Sequence, residues 1–219
     1  MIRKKKETAW KKSRKFGDIK GGRKALNFSK IAQKYHSIEK PFPNEELPIF
    51  IEDNPSRDFF HPISIEEIAD FLTKLPSSET KDITHIWLRK IKKTDFKKGE
   101  TYQACFICGD GVNLIVFNSF PRDLRMYFGK KKPTKKDVKF YGEWEDNWIK
   151  EKGNWYLNWT KKNIKKYYLE HLLLHEIGHL IDSINKRFYS KTRDKQKEDF
   201  ANNYATIWNN RIKETINLK

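Results

Sequence analysis

The chain has 219 residues, 37% of them hydrophobic and 34% charged, and a formal net charge of +17. That is room for one domain of ordinary size plus an appendage, with 7 Trp, 9 Tyr and 15 Phe supplying much of a modest core. No apolar run reaches the roughly 18 residues that cross a membrane, and the basic start Met1-Ile2-Arg3-Lys4-Lys5-Lys6 lacks the apolar stretch of a secretory signal. No membrane partner and a cytoplasmic location are therefore expected.

The charge is uneven. Residues 1–40 hold 14 Lys and Arg against 3 Asp and Glu, residues 41–85 hold 3 against 10, and residues 86–219 hold 29 against 16. This divides the chain into a basic N-terminal arm (1–40), an acidic, Pro-containing connecting region with one helix (41–82), and a basic main domain (83–219). Residues 1–25 are polar and contain Gly17, Gly21 and Gly22, which predicts no fixed structure alone. A short helix is expected around Ile31 and Tyr35 before Pro41 and Pro43 break it. The arm's lysine runs, with Trp10 and Phe16 among them, suit phosphate contacts and base stacking, which makes nucleic acid a candidate partner. An acidic protein substrate or partner accounts for the charge equally well.

Ser64-Ile65-Glu66-Glu67 is a capping-box pattern that opens a helix running to Leu75. Residues 83–88 read as a strand, and 101–108 with 112–118 read as a hairpin turning at Gly109-Asp110-Gly111. Strand alternation points Cys105 and Cys108 to opposite faces, and no second cysteine pair exists to complete a four-thiolate site, so both read as packing residues. Trp144, Trp148, Trp155 and Trp159 follow, spaced i, i+4 within each pair; core packing is the expectation for them, with a substrate pocket as the alternative. Thr160 is placed to cap the next helix.

That helix carries His175-Glu176-Ile177-Gly178-His179. Residues i and i+4 lie one turn apart on one face, so both imidazoles can reach a single metal ion, with Glu176 beside them as a general base. Leu169, Leu173, Ile177, Leu180, Ile181 and Ile184 form the core-facing stripe, and the histidines lie off it. His171 extends the row by one turn and reads as a polar neighbour, since a fourth histidine would close the site. Gly178 costs helix propensity, which points to close approach of another backbone or a substrate. Two histidines leave a three-ligand site one short, and Glu198-Asp199-Phe200-Ala201-Asn202, on a second amphipathic helix, is long enough removed to return antiparallel with a carboxylate.

HEIGHLID followed by EDFANNYA resembles the gluzincin branch of the zincin metallopeptidases, in the style of small intracellular ImmA/IrrE-type proteins; the resemblance covers about residues 160–208. It implies an α+β zincin-like fold: a small, mostly antiparallel sheet with a hairpin, packed on the metal-binding helix, and a C-terminal helix supplying the third ligand. It implies zinc held by His175, His179 and Glu198, with Asp199 as the rival third ligand, and Glu176 as general base on a zinc-bound water. Asn202 and Asp182 are then candidates to orient the ligands, and Tyr189 and Tyr204 the nearest candidates for stabilising an oxyanion. The expected activity is hydrolysis of peptide bonds in an intracellular protein substrate, held along a sheet edge. The alternative is a nucleic-acid-associated protein whose zincin domain is secondary or inactive.

Overall fold

The computed structural model describes residues 38–93, 102–185 and 194–217, together with His36 and Phe96. Trp10, Phe16, Ile31 and Tyr35 of the basic arm, and Tyr189, lie outside the described residues.

The apolar runs at 85–89 and 112–118 become the centre of a four-stranded sheet because both their faces are covered. Its strands are β1 (Ile49–Glu52), β3 (His85–Arg89), β4 (Ala104–Gly109) and β5 (Val112–Asn118), in the order β1-β3-β5-β4. The hairpin between β4 and β5 turns at Asp110 and Gly111, both at positive φ (50° and 79°), as a two-residue turn matching strand twist requires. Alternation splits the side chains cleanly. Ile86, Leu88, Ala104, Ile115 and Phe117 enter the main core, while Trp87, Leu114 and Val116 form a second cluster on the opposite face, covered by Ile38. Cys105 packs at that second cluster, and burial pushes its thiol up to about 12, which agrees with a packing role.

The expectation of a mostly antiparallel sheet needs correcting. β1 and β5 both run parallel to β3, and only β4 is antiparallel. β1 is four residues between Pro48 and Pro55, too short to carry an alternation that would mark it as a partner for β3. Residues read as an acidic connecting region thus contribute β1 to this sheet, and helix α1 (Ile65–Leu72) contributes Ile68, Phe71 and Leu72 to the same core. The Ser64 capping box closes as expected, Ser64 accepting from the Glu67 amide and Glu67 from that of Ser64. α2 (Ser77–Thr80) follows.

Two smaller sheets complete the strands. β2 (Phe59–Phe60) pairs with β6 (Phe120–Pro121), and β7 (Arg125–Gly129) pairs with β9 (Asn154–Asn158), which pairs with β8 (Trp148–Glu151). The i, i+4 spacing of the tryptophans is therefore not helical at Trp148 and Trp155, which stand on the β8–β9 hairpin. Packing is nevertheless the role of three of them: Trp159 is buried, and Trp144 and Trp148 pack against the main core, while Trp155 is half-buried with Lys150 over its ring. Between β7 and β8 lies α3 (Lys135–Tyr141), opened by a Thr134–Asp137 capping box.

Thr160 caps α4 (Lys161–Tyr167) by accepting from the Asn163 amide. The helix continues through a π-helical turn, Tyr168–Leu173, into α5 (Leu174–Asn185). The buried Tyr168 donates its hydroxyl to the Asn118 carbonyl at 3.0 Å, fastening this turn to the end of β5. α5 packs on one side against β4 and on the other against α6 (Asp194–Asn217). Ile177 and Leu180 of α5 are fully buried in the main core.

The α5–α6 crossing explains Gly178. A Cβ there would sit 2.8 Å from the Ala201 Cα, 3.1 Å from the Tyr204 Cβ and 3.3 Å from the Ala201 Cβ. At a free helical site Gly178→Ala would stabilise by about 1 kcal/mol. Here the added methyl must push α6 away, and overpacking of this kind costs roughly 1–3 kcal/mol. Denaturant unfolding should therefore show Gly178→Ala to be less stable than wild type; a gain in stability would mean that the helices are not in this contact.

Candidate metal centre

The same crossing brings α6 over the first turns of α5. Glu198 lies three residues before Ala201 and Asn202 directly after it, so both overhang the histidines. His175 Nε2 and His179 Nε2 are 3.0 Å apart. Glu198 Oε2 is 3.4 Å from His175 Nε2, and Oε1 is 3.5 Å from His179 Nε2. Tetrahedral ligands about 2.0–2.1 Å from a metal lie about 3.3 Å from one another. The three side chains already stand at nearly that spacing, and they form the one such group among the described residues. Asp199 is exposed and takes no part in it.

Hydrogen bonding sets which atoms face inward. His175 Nδ1 lies 3.1 Å from Asn202 Oδ1, an oxygen that can only accept, so Nδ1 carries the proton and Nε2 presents its lone pair. That lone pair meets a carboxylate oxygen and a second imidazole nitrogen. Two imidazole nitrogens and a carboxylate converging on one point are a donor set that fits a metal ion. The local electrostatics agree. Burial works against a charged His175, yet Glu198, Glu176 and Asn202 together outweigh it and raise its pKa. Burial, with the charge on His175, pushes His179 down to about 4. A proton taken up by His175 goes on Nε2 and is shared with Glu198, and that hydrogen bond, opposed by burial, holds Glu198 below the ordinary carboxylate range. Asp182, one turn beyond His179, is buried and its charge pulls the His179 pKa upward. Asn202 thus meets His175 through a hydrogen bond, while Asp182 acts on His179 through its charge.

Glu176 is buried beside the ligands. Burial, and secondarily the charge on Glu198, pushes its carboxyl up to about 7 against the pull of His175 and of a hydrogen bond from the Phe106 backbone. A carboxyl poised near neutrality can both take and return a proton. The Phe106 contact also shows that edge strand β4 runs alongside this residue.

The centre opens into a cleft of about 300 Å³. His175, Glu176, Glu198 and Asn202 line one end; Tyr102, Gln103 and Ala104 form the lip leading into β4; Lys136, Asp137, Phe140 and Tyr141 of α3 form the facing wall. Tyr167 and His171 stand between them. The His171 ring stacks on Tyr167 (5.5 Å, 14°) and lies 5.7 Å from His175, outside the ligand group. Burial, then the charge on His175, pushes it down to about 4, so it is a neutral polar neighbour. Tyr204 does not line the cleft: its hydroxyl donates to Glu79 Oε2 at 2.7 Å. Sequence reasoning missed the α3 wall, although Thr134-Lys135-Lys136-Asp137 carries a capping pattern that marks a helix start.

Two measurements test this geometry. Metal content per chain after mild dialysis should be about one ion for wild type and sharply reduced for Glu198→Ala, with Asn202→Ala about 10–100-fold weaker in affinity. Unchanged metal in Glu198→Ala would remove it as a ligand. The second concerns pH. In metal-stripped protein a Glu176 pKa of about 7, above the unfolded 4.5, means that the folded state holds the extra proton between those values. Stability should then fall as pH rises through that window, by on the order of 3 kcal/mol in total. Glu176→Gln should lack this component, and superimposable pH profiles for the two proteins would refute the raised pKa.

A scan against protein-family models found no match, and neither the curated proteins nor the solved structures searched contain a match to this chain.

Proposed function

We propose that the chain is a zinc-dependent metallopeptidase with a zincin-like arrangement of sheet, metal-binding helix and ligand-supplying helix. The observation that carries the reading is the convergence of His175 Nε2, His179 Nε2 and Glu198 beside a buried carboxylate, at one end of an open cleft. Three protein ligands are characteristic of catalytic zinc, whereas structural zinc is usually closed by four. Zinc held by these residues would polarise a carbonyl oxygen and make water acidic near neutral pH.

The chain's own groups perform the rest. Glu176 takes a proton as water adds its oxygen to the scissile carbonyl carbon, then delivers that proton to the amine nitrogen as the C–N bond breaks. A pKa of about 7 suits it to both transfers. Asn202 holds His175 in the ligating tautomer. β4 is an edge strand of its sheet and lies against α5, so an extended peptide can add to it through main-chain hydrogen bonds and bring an amide to Glu176. His171, Tyr141 and Tyr167 line the cleft and are the polar side chains beside the centre that a substrate would meet.

Glu176→Gln keeps the shape of the side chain and loses its basicity. It should retain zinc at the wild-type ratio while cleavage of a peptide library, followed by mass spectrometry, falls by roughly 10²–10⁴-fold. Equal cleavage by the two zinc-loaded proteins would eliminate the mechanism.

A further inference from the structure

We propose that the cleft selects an acidic segment of its substrate, drawn in by the lysines of α3 and of the turn before it; this rests on the peptidase reading of the same site. Lys130, Lys131, Lys132, Lys135, Lys136 and Lys139 fall within ten residues, and Asp137 is the one acid among them. All six lysines are exposed, and Lys136 lines the cleft.

The arrangement is unfavourable for the helix itself. Lys135 and Lys139 are i, i+4, and Lys136 and Lys139 are i, i+3, so three like charges stand on adjoining parts of one surface. Two of them occupy the first turn, where the backbone dipole favours acids. Asp137 does little to offset them, because its carboxylate is turned back into the cap: Oδ2 accepts from the Thr134 amide at 2.8 Å and from its hydroxyl at 2.7 Å. None of the six lysines forms an ion pair among the described residues, whereas Lys165, Lys166, Lys197 and Lys213 on the helices across the core are paired with Glu67, Glu170, Asp194 and Glu170. Glu143 and Asp146, exposed beyond the end of α3, do not line the cleft. The helix that forms this wall, with the turn before it, therefore carries uncompensated positive charge that reaches the cleft at Lys136, and carboxylates of a bound peptide would compensate it.

An acidic peptide fits better than nucleic acid. The opposite lip, Tyr102 to Ala104, leads into a strand edge that recognises main-chain amides, and a cleft of about 300 Å³ is at the small end for any ligand.

The test uses full-length, zinc-loaded Glu176→Gln and fluorescence anisotropy with three labelled peptides of equal length, rich in Glu, Gln or Lys. The Glu peptide should bind about tenfold more tightly than the Gln peptide at low salt, and the difference should shrink as salt is raised. Adding Lys135→Glu, Lys136→Glu and Lys139→Glu together should abolish that preference. Reversing Lys90, Lys161 and Lys162, which are exposed and do not line the cleft, changes net charge equally and should leave most of it. The proposal is overturned if the two triple variants behave alike, if the Gln peptide binds as well as the Glu peptide, or if a single-stranded oligonucleotide of equal charge binds more tightly through the same three lysines. Because the readout is binding, wild type that selects the Glu peptide yet cleaves none of the peptides refutes the peptidase reading and not the selection.

Discussion

The absence of one side chain at Gly178 governs the distance between α5 and α6, and most of the site depends on that distance. With the Ala201 Cα at 2.8 Å from where a Cβ would be, the helices approach about as closely as backbones can. Glu198 and Asn202 flank Ala201 at three residues before and one after, so the contact that brings Ala201 in also delivers a carboxylate to the two Nε2 atoms and an amide oxygen to His175 Nδ1. A ligand set drawn from two helices needs their spacing held to within a few tenths of an ångström. Here a packing contact supplies that tolerance, and Tyr204, reaching Glu79 on α2, steadies the next turn of α6.

The centre was legible from sequence because its determinants are local. HExxH needs only helical periodicity, and the partner helix shows itself by amphipathic spacing; Glu198 is preferred to Asp199 through the family resemblance, by its place three residues before Ala201, and Asn202 is a candidate because an imidazole that ligates needs a partner for its second nitrogen. Capping at Ser64 and Thr160 and the Asp110-Gly111 turn were legible for the same reason, since each is decided within four residues. What escaped was non-local or lacked a marker. Pairing of β1 with β3 joins residues 36 apart through a four-residue strand, and no periodicity survives at that length. The β8–β9 hairpin turns at Lys152 and Gly153, both at positive φ, but lysine is not a residue that advertises such a turn. The π-helical turn has neither glycine nor proline to signal it. Tyr204 was misjudged as a cleft residue because its helical face is shared with the core, and only the position of Glu79 decides where its hydroxyl goes.

Charge is handled in opposite ways at the two ends of the cleft. At the candidate metal centre, two largely buried imidazoles and a carboxylate reaching them from the surface are crowded together, so positive charge is welcome at one point. At the α3 wall, lysines stand together in solvent with no acid to spare. Burial makes the first strong and short-ranged, while exposure leaves the second weak and far-reaching. One suits holding an ion in register, the other suits gathering a flexible ligand from a distance.

The π-helical turn gives the molecule a mechanical character. Tyr167 and His171 of the cleft and His175, Glu176 and His179 of the centre are all carried on one uninterrupted rod, from Lys161 to Asn185, pinned midway by Tyr168 to Asn118. Cleft floor and candidate metal centre are therefore geared together, and neither can shift without the other. Any widening of the cleft to admit a ligand falls to the elements set against the rod, among them α3, which is joined to it by side-chain ring contacts rather than by backbone. The rod is the fixed anvil, and what lies against it is the jaw.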